Sequence, residues 1–359
     1  MKKIYYITAV FATLFLVGCG DGIDLPGVNV ETDLNKIPLP DNNVNLEQVE
    51  LKPSTEPMLH EGLHTEEDFQ RIRDKKAAGE EPWVSAYQLL VESQFSQKTA
   101  DTYPTEWIKR GVSGDENYMN AARGATIAYQ QALRWKIEQD DEYAAKAVEN
   151  LNKWVQTCVG VTGNTNLSLA AGLYGYEFAI AGELLRDYEG WDRADFAAFQ
   201  NWLLKVFYPA NDDFLKRHHD TNPLHYWANW CLCNIAAKMA IGIVTDRRDI
   251  YNEGIAHLQT GDTNGRLRRA IYHDYAPDYN FAQWQESGRD QGHTLMCVGL
   301  MGIICQLAWS QGDDFFAYDD NLFMRACEYA ACCNYTNETV PYTTYIWQKQ
   351  SQWGYPIPE

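Results

Sequence analysis

The sequence predicts an all-α protein in which helical hairpins form an α/α toroid, an incomplete barrel of paired helices. Apolar residues recur at steps of three and four over most of the chain, whereas strand patterns are sparse and no glycine-rich phosphate-binding loop occurs. A simple bundle would need fewer helices, and an α-solenoid should show an internal repeat, which we do not find. Many successive helices joined by short connections therefore favour the toroid.

The individual helices follow from the same periodicity. Apolar side chains recur at helical spacing from Ala144 to Cys158, after two acidic residues, and Gly160 follows as a natural stop. Equivalent patterns predict helices at 66–75, 82–96, 117–138, 167–188, 193–207, 224–243, 295–311 and 320–334.

The N-terminus predicts export and lipid anchoring. Two lysines precede an apolar stretch, and Leu16-Val17-Gly18-Cys19 resembles a bacterial lipobox in which Cys19 becomes the lipidated first residue. We interpret residues 1–19 as a lipoprotein signal peptide, residues 20–57 as a proline-rich flexible tether, and residues 58–359 as the catalytic domain. The expected location is the periplasm or the outer-membrane surface, with the lipid as the only attachment to the membrane.

The formal net charge of −19 argues against a nucleic-acid partner. An anionic polymer would be repelled by such a body unless a local basic pocket reversed the field. Arg289 and the group Arg266, Arg268 and Arg269 are the candidates for that pocket.

The cysteines predict neither a metal nor a cofactor. Eight of them follow Cys19, and none belongs to a Cys-x-x-Cys pair, so their spacing gives no zinc signature. Most lie among the apolar residues of predicted helices, where a free cysteine behaves as a small hydrophobic side chain. We therefore expect buried free thiols.

The segment 283–293 is rich in polar and charged side chains, and it directly precedes the apolar run 295–309. Polar side chains in such a position are expected to line a site. If the segment is helical, Arg289 and His293 lie four residues apart on one face. A permanent guanidinium charge beside a group that titrates near neutrality suits acid–base chemistry on an anionic substrate.

A second polar cluster spans residues 222–230. Pro223 suits the first turn of a helix with Asn222 as its N-cap, which would put His225 and Asn229 on one face. Trp227, Trp230 and Trp284 adjoin polar residues and are therefore the best candidates for sugar-stacking rings. His218 and His219, after two basic residues, are expected in a solvated loop.

These residues fit β-elimination on a uronic-acid polymer. The C5 proton is only weakly acidic while the neighbouring carboxylate is charged, so the enzyme must neutralise that carboxylate with Arg, Asn, Gln or a protonated His. A histidine or tyrosine then removes the proton, and an acid protonates the departing O4.

Several segments also resemble the catalytic domains of the alginate lyase family. The most specific are His225-Tyr226-Trp227-Ala228-Asn229-Trp230 and the run from Gln285 to His293. The others are His60–Thr65, Arg71–Arg73, Ala132–Trp135, Leu151–Trp154 and Gly172–Glu177, so the resemblance covers roughly residues 58 to 345. It implies an α/α-toroid polysaccharide lyase that acts on alginate or a related polyuronate.

The resemblance also implies roles for individual residues. Asn229 and Arg289 match carboxylate-neutralising positions, while His225 and His293 are the base candidates. Related lyases carry a tyrosine soon after the arginine, where this chain has Thr294-Leu295-Met296-Cys297, so Tyr226 becomes the expected acid. The residues expected to bind substrate are Tyr174, Tyr176, Trp230, Gln283, Gln285 and Glu286. Tyr174 or Tyr176 could instead supply the phenol, or a histidine could serve as both base and acid.

Two other functions stay open at the level of sequence. A glycoside hydrolase on an α/α barrel needs two carboxylates that flank the scissile bond. Glu286, Asp290, Glu177 and Asp220 are available, but no pair stands out. A glycan-binding surface lipoprotein without catalysis would need aromatic platforms and hydrogen-bonding groups, but it would not need an arginine next to a histidine.

Overall fold

The computed structural model describes residues 54–335, 340–343, 345–347 and 350–353. The signal peptide, the lipidation residue Cys19 and most of the predicted tether therefore lie outside the described residues. The described end of that tether, residues 54–57, is hydrogen-bonded to the domain: Arg248 donates to the carbonyls of Glu56 and Pro57, and Asn252 donates to that of Ser54. The folded domain thus includes residue 54.

Twelve α-helices make up most of the described chain. They are α1 (Glu66–Ala77), α2 (Trp83–Glu92), α3 (Tyr118–Glu138), α4 (Asp141–Thr157), α5 (Leu167–Leu184), α6 (Arg193–Val206), α7 (Tyr208–Arg217), α8 (Ala228–Val244), α9 (Arg248–Thr260), α10 (Leu267–Ala270), α11 (Gln291–Ser310) and α12 (Tyr318–Tyr335). Each of the nine predicted helical segments overlaps one of these helices. The sequence prediction missed α7, α9 and α10.

Short polar side chains begin several of these helices. Thr65 and Asp68 form a reciprocal capping box on α1. Asp140, Asp192 and Asp290 accept hydrogen bonds from the first backbone N–H groups of α4, α6 and α11. The negative charges of these carboxylates also interact favourably with the positive N-terminal end of each helix dipole.

The helices α5 and α8 lie at the centre of the fold and run parallel. Near their starts, Asn234 Nδ2 donates to the carbonyl of Ser168 at 3.2 Å. Just beyond the end of α5, Arg186 donates to the last carbonyls of α8, those of Ile243 and Val244. Nearly every residue of both helices is buried, as expected for helices surrounded by protein.

The flanking helices α3 and α11 share this direction. The strands β1 (Trp107–Arg110) and β2 (Gly160–Gly163) pair in parallel immediately before α3 and α5. The cap of α8, Trp227, lies beneath Arg289 at the start of α11. The inner helices α3, α5, α8 and α11 therefore all begin on one side of the ring, which we call the N-terminal face, while α4, α6, α7, α9 and α12 pack around them.

The opposite end of the ring is crossed by the N-terminal strap, residues 54–64. The backbone of Leu59 exchanges two hydrogen bonds with the side chain of Gln311, at the end of α11. His60 reaches Asp246, just after α8, and His64 lies 2.5 Å from the hydroxyl of Tyr129 inside the ring. The strap thus ties together the ends of the inner helices.

Two further hairpins complete the described part. The strands β3 (Ile271–Asp274) and β4 (Ala282–Trp284) pair antiparallel, with a register shift between Ile271 and His273. The strands β5 (Tyr345–Trp347) and β6 (Gln350–Trp353) form the second hairpin. The first matters for function because β4 leads directly into the polar segment predicted as a site.

The core is aromatic, apolar and rich in thiols. Six of the eight described cysteines are buried, and all eight are free thiols. By length and composition α11 is the one described helix that could span a membrane, but 61% of its most apolar window is buried in the protein. Trp284, a predicted stacking residue, is fully buried and donates to the carbonyl of Ala326, so that prediction is wrong.

The close approach of α5 to α8 generates a stability prediction. A Cβ atom on Gly172 would lie 2.4 Å from Cys233 Sγ and 3.0 Å from the backbone nitrogen of Asn234. We expect Gly172→Ala to lower the free energy of unfolding by about 1–3 kcal/mol, the usual range for overpacking. Denaturant titration of the wild type and of Gly172→Ala measures this difference in the free energy of unfolding.

The matched control is Gly302→Ala in the interior of α11, where the nearest atom, from Phe323, would lie 3.9 Å from the new Cβ. Alanine should raise stability there by up to about 1 kcal/mol through helix propensity. Equal effects of the two substitutions would contradict the assigned helix contact.

Candidate active site

The start of α8 differs from the sequence prediction. Trp227 is the N-cap residue and has an extended backbone, so the helix begins at Ala228 instead of 224. Asn222 caps a separate turn, in which Leu224 N donates to Asn222 Oδ1 and His225 N donates to the Asn222 carbonyl. The predicted pairing of His225 with Asn229 along one helix face is therefore wrong.

The start of α11 also differs from the sequence prediction. Asp290 is the N-cap residue, with its Oδ1 accepting from His293 N at 2.9 Å, so Arg289 precedes the helix. The helical relation between Arg289 and His293 is wrong, yet the two side chains do meet. They meet at a carboxylate three residues before Arg289.

That carboxylate belongs to Glu286, whose side chain is only 1% exposed. Its Oε1 accepts from Arg289 Nη1 and lies 3.1 Å from His293 Nδ1. Asp290 Oδ2 lies 3.1 Å from the same nitrogen. Glu286 was predicted to bind substrate; the structure buries it instead, as the common partner of the arginine and the histidine.

Arg289 connects this segment to the second polar cluster. Its guanidinium lies 5.0 Å from the centre of the Trp227 ring, within the range of a cation–π contact. Asn229 is buried in the first turn of α8, and its backbone lies within hydrogen-bonding reach of the Cys297 thiol on α11. Arg289 and Asn229 therefore come to the same region of the N-terminal face, as the sequence predicted.

The two glutamines of the segment hold the loops in place. Gln285 Oε1 accepts from Ala228 N, the first N–H of α8, and its Nε2 donates to Asn264 Oδ1 and to the carbonyl of Arg269. Gln283 is bonded through both amide atoms to Thr343. Both side chains are essentially inaccessible, so their predicted contact with substrate is wrong.

Tyr226 lies in a cluster of rings beside the start of α8. Its ring centre is 4.7 Å from both His225 and Trp230, and 5.2 Å from Phe214. Tyr226 is 8% exposed, while His225 and Trp230 are half-buried. The structure thus brings the predicted acid, one predicted base and one predicted stacking ring together.

His218 and His219 join the same cluster, which the sequence prediction missed. His218 is buried and stacks on Phe214 at 4.6 Å, and burial lowers the pKa of its imidazole to about 4. His219 Nε2 lies 3.0 Å from Ser168 Oγ, and its ring is 5.7 Å from Tyr226. The expected solvated loop is therefore wrong. The apolar pair Phe214-Leu215 just before these histidines was the available signal.

The turn that carries these histidines is conformationally unusual. His218, His219 and Asp220 all have left-handed backbone angles, which cost free energy in residues other than glycine. A cavity of about 310 Å³ adjoins the turn and is lined by residues that include His218, Thr221 and His257. Arg289 and His293 do not line this cavity.

Tyr174 and Tyr176 lie in the core on α5, at 5% and 4% exposure. Burial raises the pKa of the Tyr176 phenol well above its ordinary value, so the group is a poor proton donor and a poor base. The neighbouring carboxyl of Glu177 has a pKa raised to about 8, again through burial. The structure makes both tyrosines core residues, and Tyr226 is the better placed phenol.

Comparison with known proteins identifies the family. Among curated proteins, none matches the chain in sequence. The family model for alginate lyase matches residues 72–338. The chain belongs to the alginate lyase family. It is accordingly a polysaccharide lyase, and both segments with the most specific motifs lie within the match.

Solved structures of alginate lyases share the fold. A Tyr-to-Phe variant of alginate lyase A1-III, complexed with a tetrasaccharide, superposes with a TM-score of 0.55 at 14% identity, covering 77% of this chain and 80% of that one. An alginate lyase from Bacteroides ovatus gives 0.53 at 15% identity, with 75% and 82% covered. Alginate lyase A1-III from Sphingomonas species A1 gives 0.53 at 13% identity, with 77% and 80% covered. The predicted α/α toroid is confirmed.

The buried carboxyl of Glu177 generates a prediction about stability and pH. Its pKa rises from an ordinary 4.5 to about 8 on folding, so the folded protein binds more protons than the unfolded chain between these values. The contribution of the Glu177 carboxyl to the free energy of unfolding is therefore complete below about pH 4.5 and is lost as the pH rises to 8. We expect the melting temperature of Glu177→Gln to fall less than that of the wild type between pH 5 and pH 8.5.

Thermal unfolding at matched ionic strength measures this difference. Glu61→Gln, a change of the same kind at an exposed position, is the control and should follow the wild type. A Glu177→Gln curve parallel to the wild type would show that Glu177 is ionised in the folded protein.

Proposed function

We propose that the protein cleaves alginate or a closely related polyuronate by β-elimination at the N-terminal face. The observation that carries this proposal is the meeting of Arg289 with His293 at Glu286, beside Trp227 and Asn229. It supplies a guanidinium to neutralise a sugar carboxylate and an imidazole to remove the adjacent proton. β-Elimination needs these two groups first.

Arg289 is the proposed neutralising group. A guanidinium has five N–H donors in a planar fork, so it can serve Glu286 through Nη1 and a sugar carboxylate through another edge. Asn229 is the second proposed neutralising group. With the carboxylate neutralised, the negative charge that develops at C5 can spread onto it, which lowers the barrier to proton removal.

The remaining steps fall to the histidines and Tyr226. A histidine, His293 or His225, takes the C5 proton; the C–H electron pair forms the C4–C5 double bond, and O4 leaves with its bonding pair. Tyr226 donates a proton to O4. Trp230, packed on Tyr226 at 4.7 Å, is the proposed sugar-stacking ring.

Local electrostatics reconcile an acidic protein with an anionic substrate. Four inner helices begin at the N-terminal face, and helix N-termini favour anions. Arg289 contributes directly there. Arg268, also expected in a basic pocket, is instead held by Asp274 and Asp319 in an ion-pair network.

The carboxylates do not provide a hydrolase site. Glu286 is buried against Arg289 and His293, Asp290 caps α11, and the Asp220 side chain is 77% exposed. Glu177 has a raised pKa, but its carboxyl is buried beside Tyr176 and Tyr129, away from the other three carboxylates. A glycosidase needs two carboxyl groups aimed at one bond, one of them protonated. This arrangement favours elimination over hydrolysis.

We also propose that lipidation of Cys19 anchors the protein at the periplasmic or outer-membrane surface. The lipobox-like sequence supports the anchor. The strap lies at the end of the ring opposite the N-terminal face, so a tether joined to it would leave the catalytic face pointing away from the lipid. Cys19→Ser should release the protein from the membrane fraction; retention there would contradict the anchor.

Arg289→Ala tests the neutralising group. We expect turnover to fall about 100- to 1000-fold, the usual cost of losing one preorganised donor. Arg289→Lys should recover little, because an ammonium cannot reproduce the planar fork. The assay is the ultraviolet absorbance of the unsaturated product from polymannuronate, polyguluronate and polyglucuronate. Near-normal turnover in a folded Arg289→Ala variant would exclude this role.

Separate His225→Gln and His293→Gln variants test the base. Loss of a general base typically costs about 100- to 10,000-fold in rate, while glutamine preserves size and some hydrogen bonding. The base must be neutral to act, so wild-type activity should fall as the pH drops through its pKa. If both variants turn over like the wild type on the polymer that it cleaves, a histidine is not the base.

A further inference from the structure

We propose that Glu286 is a positioning residue that keeps a proton on His293 Nδ1, so that His293 Nε2 is the base that removes the C5 proton. This inference rests on the proposed β-elimination, and it chooses between the two histidines that the sequence left open. In the step itself, the Nε2 lone pair takes the C5 proton and the ring becomes an imidazolium. The C–H electron pair forms the double bond, and O4 departs with its bonding pair and receives a proton from the acid.

The first support is the surroundings of Nδ1. Glu286 Oε1 and Asp290 Oδ2 each lie 3.1 Å from His293 Nδ1. An ionised carboxylate can only accept hydrogen bonds, so the nitrogen that faces two of them is the one that carries the proton. A neutral imidazole has one ring proton, and Nε2 is then left with its lone pair. The contact therefore selects the tautomer that a base needs.

The second support is how firmly Glu286 is held. Its carbonyl accepts from the backbone nitrogens of Arg289 and Asp290 at 2.8 and 2.9 Å, and its backbone is left-handed, with φ 64°. Within the described part of the chain, Glu286 Oε2 is buried and makes no hydrogen bond. Such strain and burial cost free energy and are concentrated at functional sites.

The third support is the position of His293 relative to Arg289. Both side chains contact Oε1 of Glu286, so His293 shares its carboxylate with the proposed neutralising group. One carboxylate thus places the base and the carboxylate-binding fork relative to each other, which elimination requires because both act on adjacent atoms of the same sugar.

The direct test is the tautomer of His293 in the substrate-free protein. In protein labelled with nitrogen-15 at histidine, the His293 signals can be assigned by their loss in His293→Gln. Two-bond and three-bond couplings to the ring protons should show a protonated Nδ1 and an unprotonated Nε2 at neutral to alkaline pH. A proton on Nε2 instead would overturn the proposal. The measurement needs no substrate, so it stands apart from any failure of the proposed function.

The kinetic test is Glu286→Gln. Removing the carboxylate that orients a catalytic histidine costs ~10⁴-fold in kcat in serine proteases. Here we expect a loss of about 100-fold or more in kcat with little change in KM. The substitution impairs proton removal in the transition state, whereas the binding of substrate in the ground state is kept. An unchanged kcat in a folded variant would overturn the proposal.

Glu183→Gln is the matched control. Glu183 also forms a buried ion pair with an arginine three residues later, Arg186, at the end of α5 far from the N-terminal face. Loss of this ion pair in Glu183→Gln should lower the melting temperature and leave kcat unchanged. An equal fall of kcat in both variants would mean that Glu286 serves stability alone.

A double-mutant cycle separates the histidine from the arginine. If Glu286 acts through His293, Glu286→Gln should cost little further activity in the His293→Gln background. If the full loss persists there, Glu286 acts through Arg289 and the proposal fails. Should Glu286→Gln not fold, the tautomer of the wild-type protein decides the question.

Discussion

The close parallel packing of α5 against α8 is the contact on which the rest of the molecule depends. Gly172 lets the two backbones approach, and the bonds from Asn234 and Arg186 fix both ends of the pair. Because these helices share one direction, their starts lie together, and the loops that precede them meet. The proposed active face is therefore a consequence of helix direction more than of any individual loop.

Electrostatic pairing explains how such an acidic chain can contain a site for an anion. Lys238, 4% exposed, lies between Asp212 and Glu253, and Arg325 is held by Asp274 and Asp320. These cations are engaged in structural ion pairs away from Arg289. What a substrate would meet is set by the few groups at the helix starts, and the net charge decides little beyond solubility.

Periodicity was enough to predict nine of the twelve described helices and the toroid, because apolar spacing reports directly which face of a helix is buried. It could also have revealed α9, where Ile250, Tyr251, Ile255 and Leu258 recur at helical steps. Helix starts were harder to predict. Asn222 and Pro223 look like a start signal, but the acceptor for the first N–H of α8 is Gln285, 57 residues further along the chain. No local pattern contains that contact.

The residues of the proposed site divide in the same way. Arg289, His293 and Asn229 could be proposed from sequence, since their chemistry is explicit in their side chains. The burial of Gln283, Gln285 and Glu286 could not, because a polar side chain in a polar run looks the same whether it faces solvent or ties two loops together. His218 and His219 were missed because their ring contacts with Tyr226 arise only when α7 packs beside α8.

The N-terminal strap has a practical consequence for making the protein. Since Ser54, Glu56 and Pro57 are already bonded to α9, and His64 lies inside the ring, the boundary between linker and domain falls before residue 54. A soluble version designed to start at residue 58, where composition alone puts the boundary, would lose the hydrogen bonds of Ser54, Glu56 and Pro57 to α9. Expression designs that keep residue 54 and a few residues before it preserve the closure of the ring.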